Sequence, residues 1–168
     1  MRLIRILVRL FFGRANRRNK PRRRNPCVIV AGPALSTQTP TVLQGRCWVV
    51  DGDTIVIDKV HIRLAGIDAP ELDHPWGNQS KWALVQLCKG QTVTARIRPE
   101  LSYDRVVAEC FLPDGRDLAA ELVQAGMALD WPKFSGGRYR HLETADARRK
   151  LWRADARQRG KLHSKSDC

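Results

Sequence analysis

Two short stretches carry acids and an arginine at spacings suited to chemistry on phosphate. Asp51-Gly-Asp-Thr-Ile-Val-Ile reads as a turn feeding a strand. Ile62-Arg-Leu-Ala-Gly-Ile-Asp-Ala-Pro-Glu71 reads as an alternating apolar strand that ends in a turn bearing two more acids. Adjacent strands of this kind bring Asp53 and Asp68 together, with Arg63 and Glu71 nearby. Carboxylates beside a guanidinium make an oxygen-ligand site for a hard cation next to a phosphate clamp. The chemistry such a set suits is metal-assisted attack on a phosphodiester, whose own negative charge a cation and arginines offset. Each residue also has an ordinary explanation. Asp51 and Asp53 form turns, Asp68 caps one, Glu71 is a solvated loop acid, and Arg63 is a strand-surface charge. Their appearance together, in order, is what favours a site.

The elements that must position these residues are legible from periodicity and turn chemistry. Val42 to Val50 is expected as a first strand, Thr54 to Lys59 as a second and His61 to Ile67 as a third, ended by Ala69-Pro70. Gln79 to Cys88 is expected as a helix with Trp82, Ala83, Leu87 and Cys88 inward, stopped at Lys89-Gly90. Thr92 to Ile97 and Arg105 to Leu112 complete five strands, with a Pro113-Asp-Gly-Arg turn after the last. Asp117 to Ala125 is a short helix, Trp131-Pro132 a loop, and Tyr139 to Trp152 a final helix packed through Leu142, Ala145 and Trp152. Five short strands with a helix after the third and more at the end imply an α+β fold: a small all-β antiparallel barrel with attached helices, of which the oligonucleotide-binding barrel is one form.

Charge divides the chain. The formal charge is +13 over 168 residues, of which 43% are apolar. Residues 1–50 hold eleven Lys or Arg and no acid, while the remainder holds 19 basic against 17 acidic residues. The domain is placed at 41–154, behind a basic arm and linker at 1–40 and ahead of a polar, frayed tail at 155–168. The arm favours polyanions, nucleic acid or an anionic membrane surface. Met1 to Phe12 reads as an interfacial amphipathic helix, as a signal-like export element or as a plain basic leader, and localisation stays open with it. Five cysteines without a Cys-x-x-Cys pair argue against a zinc ribbon and against a disulfide framework, and Cys47, Cys88 and Cys110 are read as core residues. The four histidines lack metal-ligand spacing, and no Gly-rich phosphate loop is present. Trp48, Trp76, Trp82 and Trp152 are read as packing residues.

Asp51-Gly-Asp-Thr, Arg63-Leu-x-x-Ile-Asp-Ala-Pro-Glu71, Tyr103-Asp-Arg105-Val-Val-Ala, Pro113-Asp-Gly and Glu121-Leu-Val-x-x-Gly-x-Ala128, in this order, resemble the staphylococcal nuclease (thermonuclease) family. The resemblance spans roughly Thr41 to Trp152 and says nothing of the arm. It implies a five-stranded oligonucleotide-binding (OB-fold) barrel packed with three helices. It implies a Ca²⁺-dependent nuclease acting on DNA and RNA and leaving 3′-phosphate ends. By the same resemblance, Asp53 and Asp68 bind the ion through carboxylate oxygens and Ala69 through its backbone carbonyl, while Asp51 shapes the ion's water shell. Arg63 and Arg105 clamp phosphate, Glu71 is the general base, and Tyr103 hydrogen-bonds the phosphate of a bound nucleotide. The sequence departs from the family at Asp104, where Gly is more usual, and in lacking a second nucleotide-contacting tyrosine. Trp131 either stacks on a base or packs in the core. The alternative function is a non-catalytic nucleic-acid-binding barrel, membrane-associated through the arm. No protein partner is expected, and the chain is read as a monomer.

Overall fold

The computed structural model describes residues 41–102 and 105–161. The N-terminal arm, Tyr103 and Asp104 therefore lie outside the described residues. Among the described residues eight strands form: β1 (Val42–Gly45), β2 (Trp48–Val49), β3 (Thr54–Ile57), β4 (Val60–Leu64), β5 (Ile67–Asp68), β6 (Val93–Ser102), β7 (Arg105–Phe111) and β8 (Leu129–Asp130). Six of them make one curled sheet in the order β1-β6-β7-β4-β3-β2, and β5 pairs with β8 apart from it. With the helices described below, this is the α+β architecture expected, with the curled sheet built from more strands. The first expected strand is two, divided at Arg46-Cys47. The fourth runs on past Pro99 because the β6–β7 register shifts between Ile97 and Leu101. A bulge there spares the ladder the amide that proline lacks.

The register of three strands places the site. Thr54 pairs with Arg63 across the antiparallel β3–β4 ladder. β4 and β7 run parallel, with Arg63 opposite Val107. Arg105 lies two residues before Val107 and so projects to the same face as Arg63 and Thr54. The opposite face is the core, where Ile55, Ile57, Ile62, Leu64, Val93, Ala95, Ala108 and Cys110 are buried.

Helix α1 (Gly77–Cys88) packs on this core through Ser80, Leu84 and Cys88, a four-residue repeat that makes one stripe. Cys88 is buried as expected, and Ala83 and Leu87 pack partly against the core, but Trp82 is 59% exposed and stands off the stripe. Helix α2 (Leu118–Gln124) is capped by Asp117, whose carboxylate accepts the Ala119 N–H at 2.9 Å. It buries Leu118, Ala119, Leu122 and Val123. Trp48, Trp76 and Trp152 are exposed as well, contrary to the packing expected of them. Lys150 lies over the Trp76 ring at 4.2 Å and Arg153 over the Trp152 ring at 5.2 Å, so cations cover these faces in place of apolar neighbours.

The C-terminal region also differs from a single helix over Tyr139 to Trp152. It breaks into α3 (Pro132–Ser135), a 3₁₀ turn (Arg140–Leu142), α4 (Ala147–Lys150) and α5 (Trp152–Gln158). Helical propensity loses here to polar tethers. Tyr139 donates its hydroxyl to Asp117 at 2.8 Å, and the Glu143 carboxylate accepts the Asp130 N–H at 3.0 Å. Arg148 then ties Glu143 (2.7 Å) to Asp155 (2.8 Å) and the Asp130 carbonyl (3.2 Å). Leu129, Ala147, Leu151 and Ala154 form a small apolar cluster beneath. The polar tail expected to fray from Asp155 is helical as far as Gln158, and Asp155 itself is buried. Among the described residues no helix is long and apolar enough to cross a membrane.

Candidate active site

Asp53 and Asp68 reach the site from a tight turn and a short strand. The turn closes with the Val50 N–H donating to the Thr54 carbonyl at 2.9 Å, and Asp51 Oδ1 accepts the Asp53 N–H at 3.0 Å. Asp51 thus orients Asp53 rather than pairing with an arginine. Gly52 lies where any side chain would collide, since a Cβ there would stand 2.7 Å from Ala69 Cβ and 2.8 Å from Ser80 Oγ. The turn can therefore lie flat against the Asp68–Ala69 backbone. The Ala69 N–H donates back to Asp53 Oδ2 at 3.4 Å. Gly77 does the same service at Glu71, where a Cβ would meet the Glu71 carbonyl oxygen at 1.9 Å. The His74 N–H donates to that carbonyl at 2.9 Å, which folds the short loop after Glu71.

The arginines face these acids. Arg63 Nη2 lies 2.9 Å from Asp53 Oδ2 and 3.8 Å from Asp68 Oδ1. Its Nη1 donates to Asp53 Oδ1 at 3.1 Å. Arg105 Nη1 donates to Thr54 Oγ1 at 3.2 Å, and the Thr54 hydroxyl donates to Asp53 Oδ1 at 3.1 Å. One hydroxyl therefore links the two guanidiniums through a shared carboxylate. The Arg63 guanidinium also lies 6.0 Å from the Trp131 ring centre, and Trp131 is half-buried edge-on against Phe134. Trp131 stands beside the site, with one flank packed.

A further guanidinium enters from α5. Arg157 Nη2 donates to Asp68 Oδ1 at 2.5 Å and to the Ala69 carbonyl at 2.9 Å. Its Nε donates to Asp68 Oδ2 at 3.3 Å and its Nη1 to Glu71 Oε1 at 2.5 Å. Asp68 is 1% exposed, and burial pushes its carboxyl up to about 6, against the pull of Arg157. Burial, and then the charge of Asp53, push Asp51 up to about 6 as well. Arg157 is held above the usual arginine range by Asp68 and Glu71, although its burial acts the other way.

These acids suit a hard divalent ion. The Ala69 carbonyl and Asp68 Oδ1 converge on one guanidinium nitrogen, and Asp53 Oδ2 lies against the Ala69 amide. All the donors are oxygens, as Ca²⁺ or Mg²⁺ requires. Among the described residues no three His, Cys, Asp or Glu side chains gather as a metal cluster. The oxygens that come together there belong to two carboxylates and a carbonyl.

Asp51, Asp53, Arg63, Asp68, Ala69, Glu71 and Arg105 thus share one neighbourhood, and Tyr103 lies outside the described residues. Sequence reasoning assigned no role to Thr54 and missed Arg157. Thr54 had a signal, because strand alternation places it on the face of Arg63. Arg157 had none, because it is one of several basic residues near the C-terminus.

The model of the staphylococcal nuclease homologue family matches residues 61–160. An uncharacterized endonuclease of Escherichia coli is 36% identical over 91 residues, 52% of this chain and 60% of that protein. A probable endonuclease LCL3 of Phaeosphaeria nodorum is 33% identical over 119 residues, 62% of this chain and 40% of that protein. The chain therefore spans only 40–60% of the length of these two curated relatives. The succinoglycan biosynthesis protein ExoI of Rhizobium meliloti is 30% identical over 142 residues, 74% of each chain. With the family model matching more than half of its length, over the stretch that holds Arg63, Asp68, Glu71, Arg105 and Arg157, this chain belongs to the staphylococcal nuclease family.

Proposed function

We propose that the domain is a nuclease that hydrolyses phosphodiester bonds of DNA and RNA with the help of Ca²⁺, leaving 3′-phosphate ends. The observation that carries this reading is the meeting of Asp53, Asp68 and the Ala69 carbonyl beside Arg63 and Arg105, which leave the same sheet face. The endonuclease names of the E. coli and P. nodorum relatives support it. A divalent ion held by these oxygens would supply positive charge at the scissile phosphate and a more acidic bound water.

The chain's own groups do the remaining work. Arg63 and Arg105 each offer a planar fork that can engage two phosphate oxygens. Arg63, braced by Asp53, holds the phosphate in register. Arg105, braced by Thr54, faces the charge that grows on the phosphorus oxygens and on the departing 5′ oxygen. Glu71 is the exposed acid of the set and orients or deprotonates the attacking water. Asp51 keeps Asp53 aimed through the backbone N–H. Tyr103 is assigned a hydrogen bond to the phosphate of the bound nucleotide, on the family resemblance alone.

The test is cleavage of labelled single-stranded DNA and RNA by the full chain with Ca²⁺ and with chelator, with product ends identified. Cleavage that needs Ca²⁺, leaves 3′-phosphate and disappears in Asp53→Ala is expected. Tight binding of the same strands without Ca²⁺-dependent cleavage would instead identify a non-catalytic binding module.

A further inference from the structure

Arg157 spans the groups that the preceding reading gives to the metal, and this inference rests on that reading. Its three guanidinium nitrogens contact four oxygens: both of Asp68, the Ala69 carbonyl and one of Glu71. Two of these, Asp68 Oδ1 and the Ala69 carbonyl, meet at a single nitrogen. An ion using both oxygens would have to stand where that nitrogen stands. Two positive centres in contact with the same oxygen repel strongly in a site this buried. Glu71 is drawn into the same grip, so the acid assigned to the attacking water is occupied too.

We propose that Arg157 is a built-in counter-cation: it closes the acidic pocket at rest, competes with the divalent ion for Asp68 and Ala69, and swings out when the ion binds. The contact is therefore autoinhibitory. It also solves a folding problem, because Asp68 is nearly fully buried and its charge needs a partner while the polypeptide folds. The position of Arg157 in α5 suits a side chain that exchanges. The helix is anchored on both sides of Arg157, by Leu151, Ala154 and Asp155 before it and by Gln158, which accepts from Arg148 at 3.3 Å, after it, so the backbone stays in place while the long side chain turns. Release requires rotation of one side chain, which leaves the Arg148 tethers to Glu143, Asp155 and Gln158 in place. A pocket that is open only part of the time binds its ion more weakly in proportion to the open fraction.

The experiment measures Ca²⁺ binding by calorimetry on the full-length chain and on Arg157→Gln, with thermal melting in chelator and in Ca²⁺. In Arg157→Gln the affinity for Ca²⁺ is expected to rise by about tenfold or more. Its melting temperature is expected to fall in chelator and to recover more than the wild type when Ca²⁺ is added. A second measurement uses the unaltered chain, in case the variant fails to fold. An arginine-selective dicarbonyl reagent, read by peptide mass spectrometry, should modify Arg157 faster as Ca²⁺ is raised, because its side chain is only 11% exposed in the closed pocket. The rate at Arg148 serves as the reference. Wild type that binds Ca²⁺, with Arg157→Gln binding no tighter or with Arg157 modified at a constant rate, overturns the proposal and leaves the nuclease reading standing. Absence of Ca²⁺ binding in both proteins, with no Ca²⁺-dependent cleavage, overturns the nuclease reading and this proposal with it.

Discussion

Gly52→Ala tests whether the turn carrying Asp53 is shaped by its contact with the strand end carrying Asp68. The added methyl would lie 2.7 Å from Ala69 Cβ, 2.8 Å from Ser80 Oγ and 2.9 Å from Ser80 Cβ. Gly52 does not occupy the left-handed region, so these contacts alone set the effect. Neither neighbour can turn aside. Ala69 Cβ is fixed to the backbone, and Ser80 sits inside α1 with its hydroxyl donated to the Met127 carbonyl. Overpacking of this kind costs about 1–3 kcal/mol. Three short contacts on rigid groups argue for about 2 kcal/mol, or roughly 5–10 °C in melting temperature for a domain of this size. The displacement must move either the Asp51–Asp53 turn or the Ala69 backbone, so Ca²⁺ affinity should fall together with stability. Urea denaturation and calorimetry read the two effects. Adding Ala69→Gly removes the shortest contact and should restore about 1 kcal/mol beyond additivity, a coupling normal for touching residues. Gly52→Ala within about 0.5 kcal/mol of wild type, the range of an ordinary surface substitution, would refute the packing argument.

Arg105→Ala should lower turnover on DNA by about 100-fold or more, the usual effect of removing one donor aimed at developing charge. Its urea midpoint should stay close to wild type, since Arg105 braces the site through Thr54 and not through the core; an unaltered kcat would remove Arg105 from the catalytic set. Four residues along β7 from Arg105, Glu109 is held below the usual carboxylate range by Arg98 and then Arg138. The folded value is the lower one, so the pairing stabilises above the ordinary Glu pKa and is lost as pH falls through the depressed value. The pairs are largely solvent-screened, so Glu109→Gln should cost only about 0.5–1 kcal/mol at neutral pH. The difference between variant and wild type should vanish in acid, and a gap that stays constant in urea midpoints from neutral to acid pH would show that charge is not its source.

The local character of most elements was legible in the chain itself, because alternation and turn chemistry act over a few residues. Asp51-Gly-Asp-Thr and the strand ending at Glu71 announced both the acids and the arginine of the site, and period-two alternation puts Thr54, Arg63 and Arg105 each on the face of its own strand that lies opposite the apolar residues. Pairing partners were beyond local reading. Only the folded chain made β4 and β7 parallel neighbours, and only it divided the expected final helix, where Tyr139 and Glu143 found Asp117 and Asp130. Trp76 and Trp152 show the same limit, since apolar area alone does not reveal whether a cation or the core will cover a ring. Arg157 is the clearest case. It stands 89 residues from Asp68 in a basic segment with no motif, and its contact with that acid exists because α4 and α5 dock on Leu129 and carry it there. The sequence by itself determined which groups could bind an ion and a phosphate. The tertiary structure decided which cation those acids hold at rest, because that depends on long-range packing no local pattern encodes.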